Sequence, residues 1–206
     1  VPQDDAEASV KEIEKRVSDW RFCQIQLGSK TSEPLGRRRY WPIFAAAQAN
    51  GYSIGLHIGG TQSAAPSPSG WPQFYIEDHQ MLCHSMQNQA ASLILEGVFE
   101  AFPDLKVVLI EGGFGWAPSF FWRLDKLFEK MRDEVPHLKR KPSEYLQTNL
   151  WFATQPVEEP EQPDDLRQTF EWIGWDRMVY SSDYPHWDFD DPHLAFHMQM
   201  SETEKK

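Results

Sequence analysis

Apolar positions along the chain follow two spacings, one typical of amphipathic helices and one typical of short strands. Apolar residues at helical spacing predict a first helix over residues 4–17, with Asp4 or Asp5 as its N-cap. Alternating apolar positions predict a strand over residues 22–27. Further helices are predicted over residues 40–50 and 76–102, from Pro118 through Met131, from Pro142 with Ser143 as its cap, and around Phe170 up to Gly174.

Four later strand-like runs share a feature: each ends in a polar residue, with glycine or proline close behind. These residues are His57, Glu111, Thr154 and Asp183. Because helices separate the strands, the strands are expected to lie parallel and to end at the same edge of the sheet. That edge is where α/β enzymes hold their catalytic groups. The repetition predicts a functional site at this edge.

The alternation of helices with five strands predicts an α/β fold of the (β/α)8 TIM-barrel type. A doubly wound nucleotide-binding sheet is a weaker alternative, because no Gly-x-Gly-x-x-Gly follows a strand. A complete barrel usually needs about 250 residues, and the chain has 206. We therefore expect an incomplete barrel, with about strands four to eight present and the other three preceding Val1. Residues 1–206 would form a single partial domain ending in a polar tail, residues 193–206.

Composition and charge limit the kinds of molecule that this protein is expected to bind. The formal net charge is −11, which argues against nucleic acid, since phosphate binding needs a basic surface. No apolar run approaches the length of a membrane span. Cys23 and Cys83 form no CxxC motif, so they are expected to be reduced and the protein cytoplasmic. A small-molecule substrate is the expected partner, and a homo-oligomer remains open.

His57 and Asp183 are the candidate metal ligands. Taken alone, His57 at the end of an apolar strand is more often a buried, hydrogen-bonded histidine than a ligand. Paired with a carboxylate at an equivalent strand end, it favours a metal site instead. Imidazole and carboxylate together suit zinc, manganese or iron(II), and zinc is the first choice. The alternative role for Asp183 is to cap the turn before Tyr184.

Three further residues are candidates for the same site. Glu111 ends a third strand and could be a general acid/base, a neighbour of the metal or an ion-pair partner for Arg123. His186 could face the substrate or act as a hydrogen-bonded strut. Trp116 closely follows the Glu111 strand and could line the pocket, although such aromatic residues more often belong to the core.

Other features carry less information. His79 and His84 are spaced five residues apart, on different faces of a helix, and are set aside as a pair. The pair His193 and His197 lacks the glutamate of HExxH, and no serine or cysteine nucleophile has a supporting motif. Residues 59–72 show no regular pattern and fit a lid, a binding loop or an inert connection equally well.

The same positions resemble the amidohydrolase-related family, the branch that contains aminocarboxymuconate semialdehyde decarboxylase and related metal-dependent hydrolases. The resemblance rests on an ordered combination of His57-Ile-Gly-Gly60, Phe102-Pro-Asp-Leu-Lys-Val-Val108, Glu111-Gly-Gly-Phe-Gly-Trp116, Trp122-Arg-Leu-Asp125 and Ser182-Asp-Tyr-Pro-His-Trp-Asp-Phe-Asp-Asp-Pro192. It implies that His57 is the metal ligand of the fifth barrel strand. It also implies that Asp183, ending the eighth, binds the metal or steers the attacking water. The family's first-strand His-x-His has no counterpart, and Glu111 stands where many relatives carry a catalytic histidine.

The resemblance implies a hydrolase that acts on a small carboxylated or cyclic substrate through metal-activated water. Asp183 and Glu111 would be its catalytic residues. One alternative is a non-oxidative decarboxylase on the same scaffold. Another is a non-catalytic partial barrel, because two ligands alone should hold a metal poorly.

Overall fold

The computed structural model describes residues 1–60, 65, 67 and 69–205. Part of the irregular stretch 59–72 therefore lies outside the described residues, and its predicted role as a lid or connection stays untested. The strands are β1 (Gln24–Lys30), β2 (Ser53–Gly60), β3 (Val107–Ile110), β4 (Leu150–Ala153) and β5 (Met178–Val179). The helices are α1 (Ala6–Arg16), α2 (Trp41–Ala49), α3 (Tyr75–Gln80), α4 (Leu82–Leu95), α5 (Val98–Ala101), α6 (Ala117–Lys130), α7 (Pro142–Asn149) and α8 (Pro163–Ile173).

The five strands form one parallel sheet in the order β1-β2-β3-β4-β5. A doubly wound sheet reverses its strand order at a switch point, whereas each strand here pairs with the next strand in sequence. Sequential parallel pairing is the arrangement of an arc of a (β/α)8 barrel. The predicted α/β barrel class is therefore confirmed.

A row of apolar side chains crosses the sheet and forms the centre of the core. Leu27, Leu56, Leu109 and Phe152 are register partners on successive strands, and each is at most 2% exposed. Neighbouring residues of a strand point to opposite faces. His57 therefore faces the side of the sheet opposite to Leu56, away from this apolar row.

The prediction of a single helix over residues 76–102 is wrong, because the structure has three helices there, α3, α4 and α5. The second break falls at Gly97, whose φ of 82° lies in the left-handed region that favours glycine. A Cβ at this position would also lie 2.7 Å from the ring of His137. The chain turns here because glycine permits both the conformation and the close approach.

Three smaller predictions also need correction. Ser143 does not cap α7, since its hydroxyl donates to Asp125 Oδ2 at 2.7 Å while Lys141 precedes the helix. Met131 is 46% exposed rather than buried. The last strand contains only Met178 and Val179, and the residues up to Asp183 follow as irregular chain.

The C-terminal segment, expected as a polar tail, carries apolar residues that join the core. Ala195 and Met198 are 3% and 7% exposed. Arg167 of α8 forms an ion pair with Glu204 at 2.7 Å. In the described part of the chain, no helix combines the length and the apolar character that crossing a bilayer requires.

Candidate active site

A cleft of about 200 Å³ is lined by Ile58 of β2, by residues of α3 and α4, and by residues that follow β3, β4 and β5. Its lining includes four carboxylates and two imidazoles, contributed by Asp78, His79, Glu111, Asp183, His186 and Asp188. Within the described residues, no lysine or arginine lines it. Of the four polar residues that the sequence predicted at one edge of the sheet, Glu111 and Asp183 line the cleft, whereas His57 and Thr154 do not.

His57 and Glu111 form a direct pair at the base of this edge. His57 Nε2 lies 2.9 Å from Glu111 Oε1, and its Nδ1 faces the carbonyl oxygen of Ile58. Because both ring nitrogens face acceptors, both can donate only when the imidazole is protonated. The hydrogen bond to Glu111 is the main cause that raises the pKa of His57 above its ordinary value. The contact with Glu111 therefore favours the protonated form of the His57 imidazole.

Two carboxylates lie on residues with an unusual backbone conformation, one directly after β3 and one four residues after β5. Glu111 and Asp183 have φ angles of 60° and 55°, in the left-handed region that non-glycine residues rarely adopt. Such conformations persist only where the surroundings enforce them, and they are common at active sites. Neighbouring side chains hold the backbone at Glu111 in this conformation. The Trp116 indole donates hydrogen bonds to the carbonyls of Gly112 and Gly113 at 2.9 and 3.0 Å. A Cβ on Gly112 would lie 2.5 Å from Met86 of α4.

The Asp183 carboxyl is crowded by other acidic groups. Burial, followed by the negative charge of Glu111, raises the pKa of Asp183 above its usual range. His186 Nδ1 lies 3.4 Å from Asp183 Oδ2 and also hydrogen bonds to Asp188. Glu111 thus stands between the imidazole of His57 and the carboxyl of Asp183.

Comparison with known proteins gives the family of this chain. The Amidohydrolase family model matches residues 1–206, the whole sequence. The chain belongs to the amidohydrolase family. The resemblance inferred from the sequence motifs is confirmed.

Individual members of the family share the arrangement over part of their length. The 2-amino-3-carboxymuconate-6-semialdehyde decarboxylase of Dictyostelium discoideum is 23% identical over 187 residues, which cover 90% of this chain and 49% of that protein. The crystal structure of 5-carboxyvanillate decarboxylase from Sphingomonas paucimobilis matches at a TM-score of 0.69 and 28% identity, covering 90% of this chain and 54% of that one. This amidohydrolase-family chain therefore spans about half the length of these relatives.

A third match shows the shared fold. It is the dihydroxybenzoic acid decarboxylase from Polaromonas sp. JS666, whose structure contains manganese and the inhibitor 2-nitroresorcinol. The TM-score is 0.74 at 22% identity, covering 100% of this chain and 63% of that one. The structural match therefore covers the full length of this chain.

One group of three potential metal ligands lies close together in the described residues. It consists of Asp183, His186 and Asp188, whose ligand atoms all lie within 4.8 Å of one another. His186 and Asp188 are two residues apart in the sequence, and the structure adds Asp183 as the third member. His57 is not part of this group, and its Nε2 faces Glu111. Its predicted role as a ligand stays a prediction.

Two residues of the cleft escaped the sequence analysis, His79 and Gln155. His79 was set aside with His84, yet its Nε2 lies 3.1 Å from Asp188 Oδ2. Asp188 therefore bridges the imidazoles of His79 and His186. Gln155 is 1% exposed and donates from Nε2 to the Asp188 carbonyl at 3.3 Å. No local pattern marks either residue, because their partner lies far away in the sequence.

Trp116 and His186, the predicted substrate-binding residues, have different surroundings. His186 lines the cleft. Trp116 packs edge-on against Phe120 and Phe152, at centroid distances of 5.2 and 5.8 Å. The hydrogen bonds of its indole to Gly112 and Gly113 hold the turn after Glu111. A contact between Trp116 and the substrate remains a prediction.

Replacing Glu111 with glutamine is expected to lower the pKa of His57 toward its ordinary value. The substitution keeps the side-chain length but replaces the carboxylate that accepts the hydrogen bond, the main cause of the raised pKa, with a neutral amide. NMR titration of the imidazole in the metal-free chain measures the change. The pair stabilises the fold fully below the unfolded-state pKa of about 6.5, and this stabilisation is lost as pH rises through the higher folded-state pKa.

The loss of stability in Glu111→Gln should accordingly be larger in mildly acidic than in alkaline solution. Glu129→Gln is the matched control, because Glu129 pairs with Lys141 at 2.6 Å, on α6. It should leave the His57 titration unchanged. A His57 pKa that is the same in Glu111→Gln and in the wild type would contradict the assignment.

Proposed function

We propose that this chain carries part of the active site of a metal-dependent, non-oxidative decarboxylase for a small carboxylated substrate. The observation that carries the proposal is the Asp183 carboxyl, crowded by Glu111 and Asp188 in a cleft whose described lining has no lysine or arginine. An anionic substrate would be repelled by such a cleft unless a cation were bound. The sequence analysis placed hydrolysis first. Both the curated relative and the 28% identical structure act as decarboxylases, which favours the alternative.

The residues of the cleft fit a divalent cation. Carboxylate oxygens and imidazole nitrogens are ligands that manganese, zinc and iron(II) accept. Asp183 would be the central ligand, joined by His57 as the family resemblance implies, with His186 and Asp188 close enough to contribute. When bound, the cation would supply the positive charge that holds the substrate carboxylate. Manganese in the Polaromonas structure supports this class of metal, and zinc remains the choice from sequence.

Loss of carbon dioxide leaves an electron pair on the substrate carbon, which must receive a proton. Glu111 is the group placed to deliver it. A histidine ligand must be deprotonated, so His57 would bind the metal as the neutral imidazole, 2.9 Å from Glu111 Oε1. Each turnover would consume one proton, which Glu111 would take up from water and deliver to the carbon. A protonated Glu111 is the acid that the carbon requires. Trp116 and the Gly112 turn would hold this carboxyl in place.

Metal analysis and an assay of carbon dioxide release test the proposal. We expect about one divalent ion per chain, release of carbon dioxide from small aromatic or conjugated carboxylic acids, and loss of release on chelation. Activity should return on addition of Mn²⁺ or Zn²⁺. Hydrolysis of lactones without release of carbon dioxide would favour the hydrolase. A chain that neither binds metal nor turns over either substrate class would be the non-catalytic partial barrel.

A further inference from the structure

The loop after β5 brings three potential metal ligands into contact. The backbone amide of His186 donates to the carbonyl of Asp183 at 2.8 Å, which closes a turn between the two residues. His186 Nδ1 lies 3.4 Å from Asp183 Oδ2 and also contacts Asp188 Oδ1. One imidazole nitrogen thus meets two carboxylates, and all three groups belong to residues 183–188.

Two side chains from other parts of the chain hold Asp188 in this arrangement. His79 of α3 has its Nε2 3.1 Å from Asp188 Oδ2, while the other carboxylate oxygen, Oδ1, faces His186. Carboxylates that bind metals are commonly oriented by such an outer hydrogen bond. Gln155, which follows β4, donates from Nε2 to the Asp188 carbonyl oxygen at 3.3 Å. The carboxylate and the backbone of Asp188 are therefore both fixed from outside the loop.

Gln155 also carries a buried oxygen atom without a partner. The residue is 1% exposed and lines the same cleft as the three loop residues. Within the described residues, its Oε1 forms no hydrogen bond. Buried polar atoms are nearly always paired, so an unpaired one indicates a bound group that satisfies it. An amide oxygen is also a ligand for divalent cations.

We propose that Asp183, His186 and Asp188 bind one divalent transition-metal ion, with Gln155 Oε1 as the oxygen that completes the set. The proposal rests on the proposed function, because it names the ligands of the metal proposed there. The three ligand atoms lie within 4.8 Å of one another. Metal–ligand bonds of about 2.0–2.2 Å allow separations of up to about 4.4 Å, so the loop needs to close only slightly. His79 is a positioning residue, because it acts through Asp188.

The competing ligand set is the one that the family resemblance implies, His57 with Asp183. His57 does not line the cleft. Its Nε2 faces Glu111 and its Nδ1 faces the carbonyl oxygen of Ile58. Binding a metal through either nitrogen would therefore end one of these contacts. At His186 the two carboxylates that contact Nδ1 would remain its neighbours, joined through the ion. The contacts of this chain therefore favour the loop set.

A further alternative is that the loop contacts are ion pairs that hold the chain in place and bind nothing. Ion pairs alone leave Gln155 Oε1 without a partner, whereas a cation or its bound water would satisfy it. The imidazole in the set also selects the class of metal. Mg²⁺ prefers oxygen ligands, while zinc and manganese accept nitrogen as well, and zinc binds such sites more tightly than manganese.

Calorimetric titration of the metal-free chain with Zn²⁺ and with Mg²⁺ tests the ligand set. We expect one Zn²⁺ to bind per chain, and Mg²⁺ to bind much more weakly. His186→Ala should weaken Zn²⁺ binding about 100-fold, and His79→Ala about tenfold. His79→Gln should recover most of that loss, because its amide can still donate to Asp188. His57→Ala should leave the Zn²⁺ affinity nearly unchanged.

A histidine outside the cleft provides the control for ordinary surface binding. The side chain of His197 is 67% exposed and lies 3.9 Å from Glu159, so His197→Ala should not alter the Zn²⁺ affinity. Paramagnetic broadening by a trace of Mn²⁺ gives a second measurement, on the unaltered chain. In NMR spectra, the ring signals of His186 should broaden more strongly than those of His57.

Three results would overturn the ligand set: no Zn²⁺ binding by the wild type, binding lost in His57→Ala but kept in His186→Ala, or an equal loss in His197→Ala. Zn²⁺ binding needs no turnover, so the site and the reaction are tested separately. Binding that depends on His186 without release of carbon dioxide would reject only the proposed reaction. Metal-dependent release of carbon dioxide by His186→Ala with wild-type metal content would reject only this ligand set.

Discussion

Replacing Asp183 with asparagine is expected to lower kcat/KM for carbon dioxide release by about 10³-fold and to weaken binding of the divalent metal. Asparagine keeps the size of the side chain and tolerates the left-handed backbone, so the φ of 55° need not change. What the variant loses is the negative charge at the centre of the proposed metal site. Activity assays and metal analysis on the purified variant measure both effects.

The same substitution should make the metal-free chain more stable at neutral pH. Burial and the charge of Glu111 raise the pKa of Asp183, so its ionised form is disfavoured in the folded state. This penalty is absent below the unfolded-state pKa, grows as pH rises toward the folded-state pKa, and is complete above it. Asparagine removes the penalty. Thermal unfolding at neutral pH should therefore show a higher Tm than the wild type, as is common where function costs stability.

Asp176→Asn provides the control for both measurements. Asp176 lies in the turn before β5, and its side chain is 73% exposed. This variant should keep wild-type activity and metal content. Full turnover in Asp183→Asn, with the variant folded, would show that Asp183 is not at the reacting centre.

Truncation of Phe152 to alanine is expected to lower the free energy of unfolding by about 3–5 kcal/mol. The ring is 0% exposed, contacts Trp116 at 5.8 Å, and continues the apolar row of the sheet beside Leu109. Its removal leaves a cavity that β3 and β4 cannot close, because they are fixed by ladder hydrogen bonds. Urea unfolding followed by circular dichroism measures the loss.

Phe189→Ala is the matched substitution outside the core, because Phe189 is 42% exposed. It should cost about 1 kcal/mol or less. Similar losses for the two variants would mean that the row through Leu56, Leu109 and Phe152 does not hold the sheet together. The comparison therefore separates the contribution of the buried row from that of aromatic bulk in general.

The local patterns in the sequence predicted the parallel sheet well. Periodic spacing depends on which face of a helix or strand is buried, so it reports the elements directly. His57, three residues before the end of β2, and Glu111, directly after β3, then meet because neighbouring parallel strands run in the same direction. The predicted helix over residues 76–102 failed because its interruption at Gly97 depends on the neighbouring His137 as well as on glycine itself.

By itself, the sequence determined the order of the elements, the parallel barrel class and the family. It also predicted that His57 and Asp183 lie at the same edge of the sheet. Only the tertiary structure decided that Glu111 stands between them and that Asp188 joins His79 to His186. It also placed Trp116 against Phe120 and Phe152 rather than in the described lining of the cleft. The physical reason is that periodicity encodes local burial. Contacts between distant loops depend instead on how completed helices and strands pack.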